Sequence, residues 1–474
     1  MATHGGSTQP LARRLAERAV ALESDGIPED VRQVARLHLL DALGLGLAST
    51  TMDYGRAIHR AGLRLGTGDE ARVLGFGSAL PAASAALVNG TLIHGLDFDD
   101  THIGAIYHAT APALAAALAV GEAEHASGRE VLDAYILGIE VGCRIAAAAP
   151  GAFHARRFHA TGIAGAFAAA AVAGKLRQVD AEVLTSALGI CGSQASGILE
   201  RNEAWNKRMH PGWAAHCGIV AVTMAQAGFL GPASVFEGAS GLFASHVGEV
   251  PSAGQLGISD LGSRWMTAEV ALKPYPCCHI IHGFVDASRH VLGELGMRRL
   301  TASNVAEIEC PTSADVIPVL TEPREVKISP RTIYDALFSV QYVVGCALAG
   351  RPIDLETFYD RPLDDEDVLS LARLVRCPPD EASDYPAHFP GEVTVVLRDG
   401  RRVSHRVSAS HGTWEDPMTD EEVRTKFLGT AGRCVTIEEA HDLARIVGQV
   451  DQIADIGELL EACTPGGMPV PAAP

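Results

Sequence analysis

The run from Ala160 to Gly174, ATGIAGAFAAAAVAG, carries no charge and ends at Lys175. It is shorter than the roughly 20 apolar residues that a membrane-spanning helix needs, so the segment has to be buried inside protein. Its side chains are mostly Ala and Gly, which let neighbouring backbones approach closely, so it predicts a core helix packed among other helices. Pro112–Ala123, Ala181–Leu188 and Ala214–Gln226 have the same character, and aromatic residues make up only 5% of the chain. The interior is therefore expected to be filled by close helix contacts rather than by large rings.

The rest of the first half agrees with this reading. Pro28-Glu29-Asp30 opens a helix with Pro early and acids in the first turn, followed by an apolar stripe through Val31, Val34, Leu37 and Leu40. Gly128-Arg129-Glu130 restarts the chain, and Val131–Ala147 is again helical in pattern. The pattern changes near Trp265. Asn304–Pro311 reads as a strand. In Glu392–Ser410, Val393, Val395 and Leu397 alternate, Asp399-Gly400 turns, and Val403 and Val407 continue, which predicts a hairpin. Thr332–Leu348 reads as one core helix, and Thr419-Asp420-Glu421-Glu422 as a capping box that opens the last helical stretch. The Pro/Gly/Ala-rich tail from about residue 464 is expected to be disordered. The fold class is thus mainly α: a large helical domain (1–268 and 410–474) with a smaller α+β domain (269–409) between its two segments.

The net charge of −19 excludes a nucleic-acid footprint, which needs a basic face. It leaves room for a local basic pocket and an anionic substrate. The ten cysteines form no CxxC pair, so zinc-ribbon and thioredoxin-like readings fail, and reduced thiols in a cytoplasmic protein are expected. Met1–Pro10 has no apolar leader-like run, and no membrane segment is expected. No GxSxG, HExxH, Walker A or strand-linked GxGxxG is present. What remains is proton chemistry by His, Lys, Asp and Tyr on a small anion.

Five segments concentrate such residues. HGLDFDDTH at 94–102 holds three carboxylates and two imidazoles. If helical, it puts His94, Asp97 and Thr101 on one face and Asp99 and His102 on another. Carboxylates beside imidazoles suit acid–base work. The same run also reads as acids at a helix start, or as a divalent-metal site built from Asp97, Asp99, Asp100 and His102. Tyr107-His108 precedes a helix start. Arg156-Arg157-Phe158-His159 leads into the Ala-rich helix, whose N-terminus suits an anion. Lys207 and His210 lie three apart between Trp205 and Trp213. KPYPCCHIIH at 273–282 brings Lys273, Tyr275, Cys278, His279 and His282 together.

These segments, in this order, resemble the MmgE/PrpD family from about Leu11 to Ala462. The most specific matches are HGLDFDDTH, RFHATG at 157–162, WNKRMHPGWAAH at 205–216 and KPYPCCHIIH. SPRTIYDALFSVQYVVGCAL at 329–348 and PMTDEEVRTKF at 417–427 support them. The resemblance implies a helical domain with an inserted α+β lid, and usually a homodimer. The activities it implies are 2-methylcitrate dehydration, cis-aconitate decarboxylation and iminodisuccinate epimerisation, all at carbon next to carboxylates. No cofactor and no metal are implied. It also implies site residues. Asp97, His108, His159, Lys207 and Lys273 match the family's catalytic positions, with the cleft between helical domain and lid as their meeting place. Arg157, His102, Tyr275, Cys278 and His279 complete the set as substrate-binding residues. Cys278 stands where the animal decarboxylase branch tends to carry His, and the chain resembles the broad bacterial-type branch, to which the epimerase is similar.

The expected function is a cofactor-independent lyase or isomerase that moves a proton next to a carboxylate of a small di- or tricarboxylate. Loss of water makes it a dehydratase, loss of CO₂ a decarboxylase, and reprotonation on the other face an epimerase. A metal-dependent enzyme using the 97–102 cluster and a non-enzymatic carboxylate-binding protein are the rivals. Substitution of His159 or Lys207 is expected to remove activity with little loss of stability.

Overall fold

The computed structural model describes residues 9–200 and 204–466, so most of the expected disordered tail lies outside the described residues. The chain divides into two units, Met1–Val270 with Thr419–Pro474, and Ala271–Met418. The fold is mainly α, and among the described residues no helix is long and apolar enough to cross a membrane.

The first unit is a helix assembly. Its main members are α1 (Glu29–Thr50), α2 (Ala82–His94), α3 (Thr110–Ala123), α4 (Gly128–Ala147), α5 (Ala160–Leu176) and α6 (Asn206–Gln226). α4 starts where Ser127 and Glu130 form a capping box. The run that begins at Ala160 is α5, and it is buried from Ala160 to Gly174. Small residues are required at the crossings. A Cβ added to Gly90 of α2 would lie 2.7 Å from the Cα of Gly212 in α6. One added to Gly218 would lie 2.5 Å from Ala169 Cβ in α5. Any larger side chain there would force the helices apart. This close contact brings the start of α6 to the end of α2.

The buried face of α1 differs from the expected stripe. Val34 and Leu37 are only half-buried, whereas Arg32, Ala35 and His38 are buried. The polar pair is accommodated because each has a buried acidic partner. Arg32 Nε donates to Asp133 Oδ1 at 3.0 Å, and His38 Nδ1 lies 2.6 Å from Asp100 Oδ2. Hydrophobicity alone could not have located that face.

The second unit carries a four-stranded sheet among the described residues: β1 (Val305–Glu309), β2 (Val375–Arg376), β3 (Gly391–Leu397) and β4 (Arg402–Val407). The order is β2-β1-β3-β4. β2 runs parallel to β1 and the other pairs are antiparallel, with Val395 opposite Val403 in the expected hairpin. α7 (His282–Glu294) packs on β3 so closely that a Cβ on Gly283 would lie 2.7 Å from the backbone N of Gly391. The expected single helix over 332–348 is two, α8 (Ile333–Leu337) and α9 (Val340–Leu348). Ser339 ends the first by starting the second. Its hydroxyl accepts the Tyr342 N–H at 2.9 Å, while Lys327 Nζ donates to the freed Phe338 carbonyl at 2.7 Å. The chain then returns to the first unit through α10 (Asp420–Ala431), opened by the Thr419/Glu422 capping box.

Candidate active site

α2 ends at His94, and the next residues do not continue it. Asp97 donates its N–H to the His94 carbonyl at 2.9 Å with φ 53, a left-handed turn that Asp tolerates better than most residues. The helical-face reading of His94, Asp97 and Thr101 is therefore corrected. The turn, not a shared face, brings these groups together, and all three aspartates of the run are buried.

The polar groups pair in a definite pattern. His94 Nδ1 lies 2.8 and 2.9 Å from the two oxygens of Asp99. An ionised carboxylate only accepts, so Nδ1 carries the proton and Nε2 the lone pair. That lone pair faces Lys207 Nζ at 3.3 Å, and Lys207 in turn donates to Asp97 Oδ2 at 2.8 Å. His108 Nδ1 lies 2.8 Å from the backbone carbonyl of Asp100 and 3.5 Å from Asp99 Oδ1, both acceptors. Its Nε2 therefore also carries a lone pair, 4.0 Å from Asp97 Oδ1. The rings of His94 and His108 are 4.6 Å apart, and His159 lies 5.6 and 5.7 Å from them.

His159 sits just before α5 and points its Nδ1 at His210 Nδ1, 3.0 Å away. One ring must donate and the other accept, so the pair shares one proton. Burial, and then the charge of Lys207 and the neighbouring imidazoles, holds His159 well below the ordinary histidine range. Burial with His94 and Lys207 pushes His210 down to about 3.

Outside this core, Asp100 turns its carboxylate to His38 and to Thr110, whose N–H donates at 3.1 Å. His102 accepts the Ala105 N–H at Nδ1 and faces Glu269 with Nε2 at 3.6 Å. The metal set drawn from Asp97, Asp99, Asp100 and His102 therefore does not assemble. The donors that converge are His94, Asp97, Asp99 and His108, or His94, His108 and His159, each group within 4.8 Å. The Lys207 ammonium already stands against the first of these groups, bonded to Asp97 and close to His94.

Of the expected site residues, Asp97, His108, His159 and Lys207 come together. Arg157 is exposed, with φ 67. His102 stays in the first unit, turned to Glu269, and the remaining four belong to the second unit. Lys273 is buried there. Tyr275 donates to Asp286 at 2.5 Å and accepts from Arg289 at 2.7 Å. Half-buried Cys278 donates its N–H to Leu337, and the buried His279 ring lies 4.6 Å from His282. All ten cysteines are thiols. His94, Asp99 and His210 join the site from segments already singled out. Thr110, the helix-starting residue after His108, joins as well; His38 comes from outside these segments, and no spacing rule connects it to a loop about 60 residues away.

Residues 13–253 match the MmgE/PrpD N-terminal domain and residues 275–452 the MmgE/PrpD C-terminal domain. The chain belongs to the MmgE/PrpD family. Members of this family are lyases, and the chain is an enzyme of that kind. It is 28% identical to a cis-aconitate decarboxylase of Aspergillus terreus over 459 residues, 93% of either chain. The cis-aconitate decarboxylase of Homo sapiens is 27% identical over 446 residues, 91% of this chain and 90% of the relative. That of Mus musculus is 26% identical over 448 residues, 92% of this chain and 89% of the relative. These relatives are similar in sequence along nearly all of both chains.

Proposed function

We propose that this lyase works by proton transfer at a carbon next to a carboxylate of a small di- or tricarboxylate, with no organic cofactor and no metal. The observation that carries the reading is the buried pairing of the Lys207 ammonium with Asp97, with the lone pair of His108 Nε2 beside it. A buried cation next to an imidazole whose Nε2 carries a lone pair is suited to hold a substrate carboxylate and to move a proton next to it. Negative charge that develops on that carboxylate in the transition state meets the ammonium in a desolvated site, where the interaction is strong.

In this reading His108 takes or gives the proton, and Asp97 and Asp99 stabilise the imidazolium that forms. His159, held neutral, orients the substrate by a hydrogen bond rather than arriving as an acid. Lys273 enters on its sequence motif as a second carboxylate-binding cation. The names of the relatives make cis-aconitate the first substrate to try. Decarboxylation of such an unsaturated tricarboxylate breaks the C–C bond to the departing CO₂ and moves the double bond. It forms one new C–H bond, for which His108 supplies the proton.

The test is incubation of the full chain with cis-aconitate and a panel of related di- and tricarboxylates in deuterated water, after exhaustive chelation. If CO₂ leaves, the product is expected to carry a single solvent deuterium on carbon; if water leaves, the abstracted C–H proton passes to solvent, and a substrate deuterated at that carbon is expected to react more slowly and to lose its label. Deuterium uptake without loss of a group would make the enzyme an epimerase. Absence of CO₂ loss, water loss and carbon-bound deuterium alike across the whole panel, with the protein folded, would overturn the proton-transfer reading.

A further inference from the structure

We propose that Asp100 is a positioning residue: its anchored carboxylate holds its own backbone carbonyl where it locks His108 Nδ1 as the N–H donor and presents Nε2 as the atom that takes or gives the proton. The acid–base role of His108 rests on the function proposed above. The lock itself rests on geometry alone.

The need for a lock follows from imidazole chemistry. In water a neutral histidine prefers the proton on Nε2, so the arrangement at His108 is the less common one and must be imposed. The imposing group is the Asp100 carbonyl, 2.8 Å from Nδ1. A carbonyl only accepts, so it admits one tautomer of the neutral ring. A loop carbonyl is a dependable partner only if the loop is fixed. Here the side chain of the same residue is bolted from three directions. His38 Nδ1 in α1 lies 2.6 Å from Oδ2. The Thr110 N–H, at the first residue of α3, donates to Oδ1 at 3.1 Å. The Thr110 hydroxyl contacts Oδ2 and lies 2.5 Å from Tyr135 OH in α4. Asp100 thus serves as an acidic group at the N-terminal end of α3, where free N–H groups and the helix dipole favour a carboxylate. His108 is held a second time through its own backbone, whose N–H donates to Thr161 Oγ1 in α5 at 3.1 Å.

Burial alone would raise the Asp100 carboxyl. The His38 hydrogen bond and charge, with the two Thr110 bonds, outweigh that and keep it below its usual value. Asp41 and Lys426 complete the charges on this side, with Lys426 Nζ 2.9 Å from Asp41 Oδ2. On the other side, Asp97, Asp99, His94 and His159 face the His108 ring.

Asp100→Asn keeps the size but not the pattern. The Thr110 N–H must face the amide oxygen, so the amide NH₂ is turned on His38, which has to change tautomer to accept it. The side chain that anchors the carbonyl is no longer held by three donors. The test uses the full chain labelled with ¹⁵N-histidine, with the His108 signals assigned by their loss in His108→Gln. Wild type is expected to show His108 as Nδ1–H when neutral. Asp100→Asn is expected to show a mixture of tautomers. With whichever substrate the panel identifies, it is also expected to show a 10- to 100-fold lower kcat, KM within about threefold, and a shifted pH limb of kcat/KM. His38→Gln and Thr110→Val give a second and third route to the same spectrum, should Asp100→Asn fold poorly.

An Nε2–H signature for His108 in wild type overturns the proposal. So do an unchanged tautomer and pH profile in a folded Asp100→Asn. The spectrum needs no substrate, so it separates the two readings. The expected tautomer with no proton chemistry sinks the function and leaves the lock. Proton chemistry with the other tautomer does the reverse.

Discussion

The buried cluster has two sides, and imidazoles behave differently on each. On one side His94 and His108 each give Nδ1–H to an oxygen acceptor, Asp99 or the Asp100 carbonyl. Their Nε2 atoms are left with lone pairs, and carboxylates stand ready to balance a positive ring. On the other side His159 and His210 face each other at 3.0 Å, near Lys207 and with no carboxylate between them. Two cationic rings cannot share that contact, so this side stays neutral. The residue type is the same throughout. The partner on Nδ1 decides whether the ring can take up a proton.

The largest effect is expected where the two sides meet, at Lys207. Lys207→Ala should lower kcat/KM by about 10²- to 10³-fold, the scale for removing one preorganised charge donor. It should also destabilise the fold by about 3 kcal/mol, because Asp97 is left buried without its cation. That revises the expectation from sequence that Lys207 affects activity alone. Replacing both partners, Lys207→Met with Asp97→Leu, should restore much of the stability and none of the activity. Denaturant midpoints of the wild type and the two variants check this. A fully stable Lys207→Ala would mean that the pair is far better solvated than its burial implies.

The next effect sharpens the difference between the sides. His108→Gln should cost about 10²- to 10³-fold in kcat, as the loss of an acid–base group does. His159→Gln should cost about tenfold, as the loss of an orienting hydrogen bond does. Steady-state kinetics on the two variants would refute this division of labour if the order were reversed.

The neutral side has a cost that acid exposes. His159 and His210 titrate below an unfolded histidine, His210 at about 3 against an ordinary 6.5. Between those values the unfolded chain binds a proton that the folded pair excludes. Stability therefore rises with pH and is lost as pH falls from about 6.5 toward 3, by at most about 1.4 kcal/mol per pH unit for each proton. Asp100, held below its usual value, adds a loss of the same sign at still lower pH. His210→Gln should flatten the slope above pH 4. An equal slope in wild type and variant, from urea melts across pH, would place the acid sensitivity elsewhere.

Much of this was legible in the chain. Small-residue runs revealed the buried helices, a capping box placed the helix start at Thr419, and alternation marked the hairpin. Clusters of rare polar types in an apolar background pointed to Asp97, His108, His159 and Lys207. What stayed hidden depends on tertiary partners. The turn at Asp97 has a positive φ that periodicity does not reveal. His38 reads as a lone polar residue in a helix, and only the folded chain shows Asp100 beside it. Ser339 breaks a helix that propensity would continue, because its cap and Lys327 satisfy the exposed backbone groups.

The smallest effect is expected at Arg157, the cation that sequence reasoning placed at the mouth of α5. The residue is exposed, and its backbone is in the left-handed region at φ 67, where its carbonyl accepts the Leu199 N–H at 2.9 Å. An exposed guanidinium binds a carboxylate weakly in water, in contrast to the buried Lys207. Position 157 therefore serves the turn that sets His159 at the start of α5, and its backbone matters more than its charge. Asn adopts positive φ more readily than Arg. Arg157→Asn should keep kcat/KM within about twofold and leave the thermal midpoint equal or slightly higher. Arg157→Val keeps neither the charge nor the tolerance for that φ, and should lower the midpoint with a small change in KM. A tenfold rise in KM in Arg157→Asn, reversed in Arg157→Lys, would instead make Arg157 a substrate cation and move part of the site to the surface.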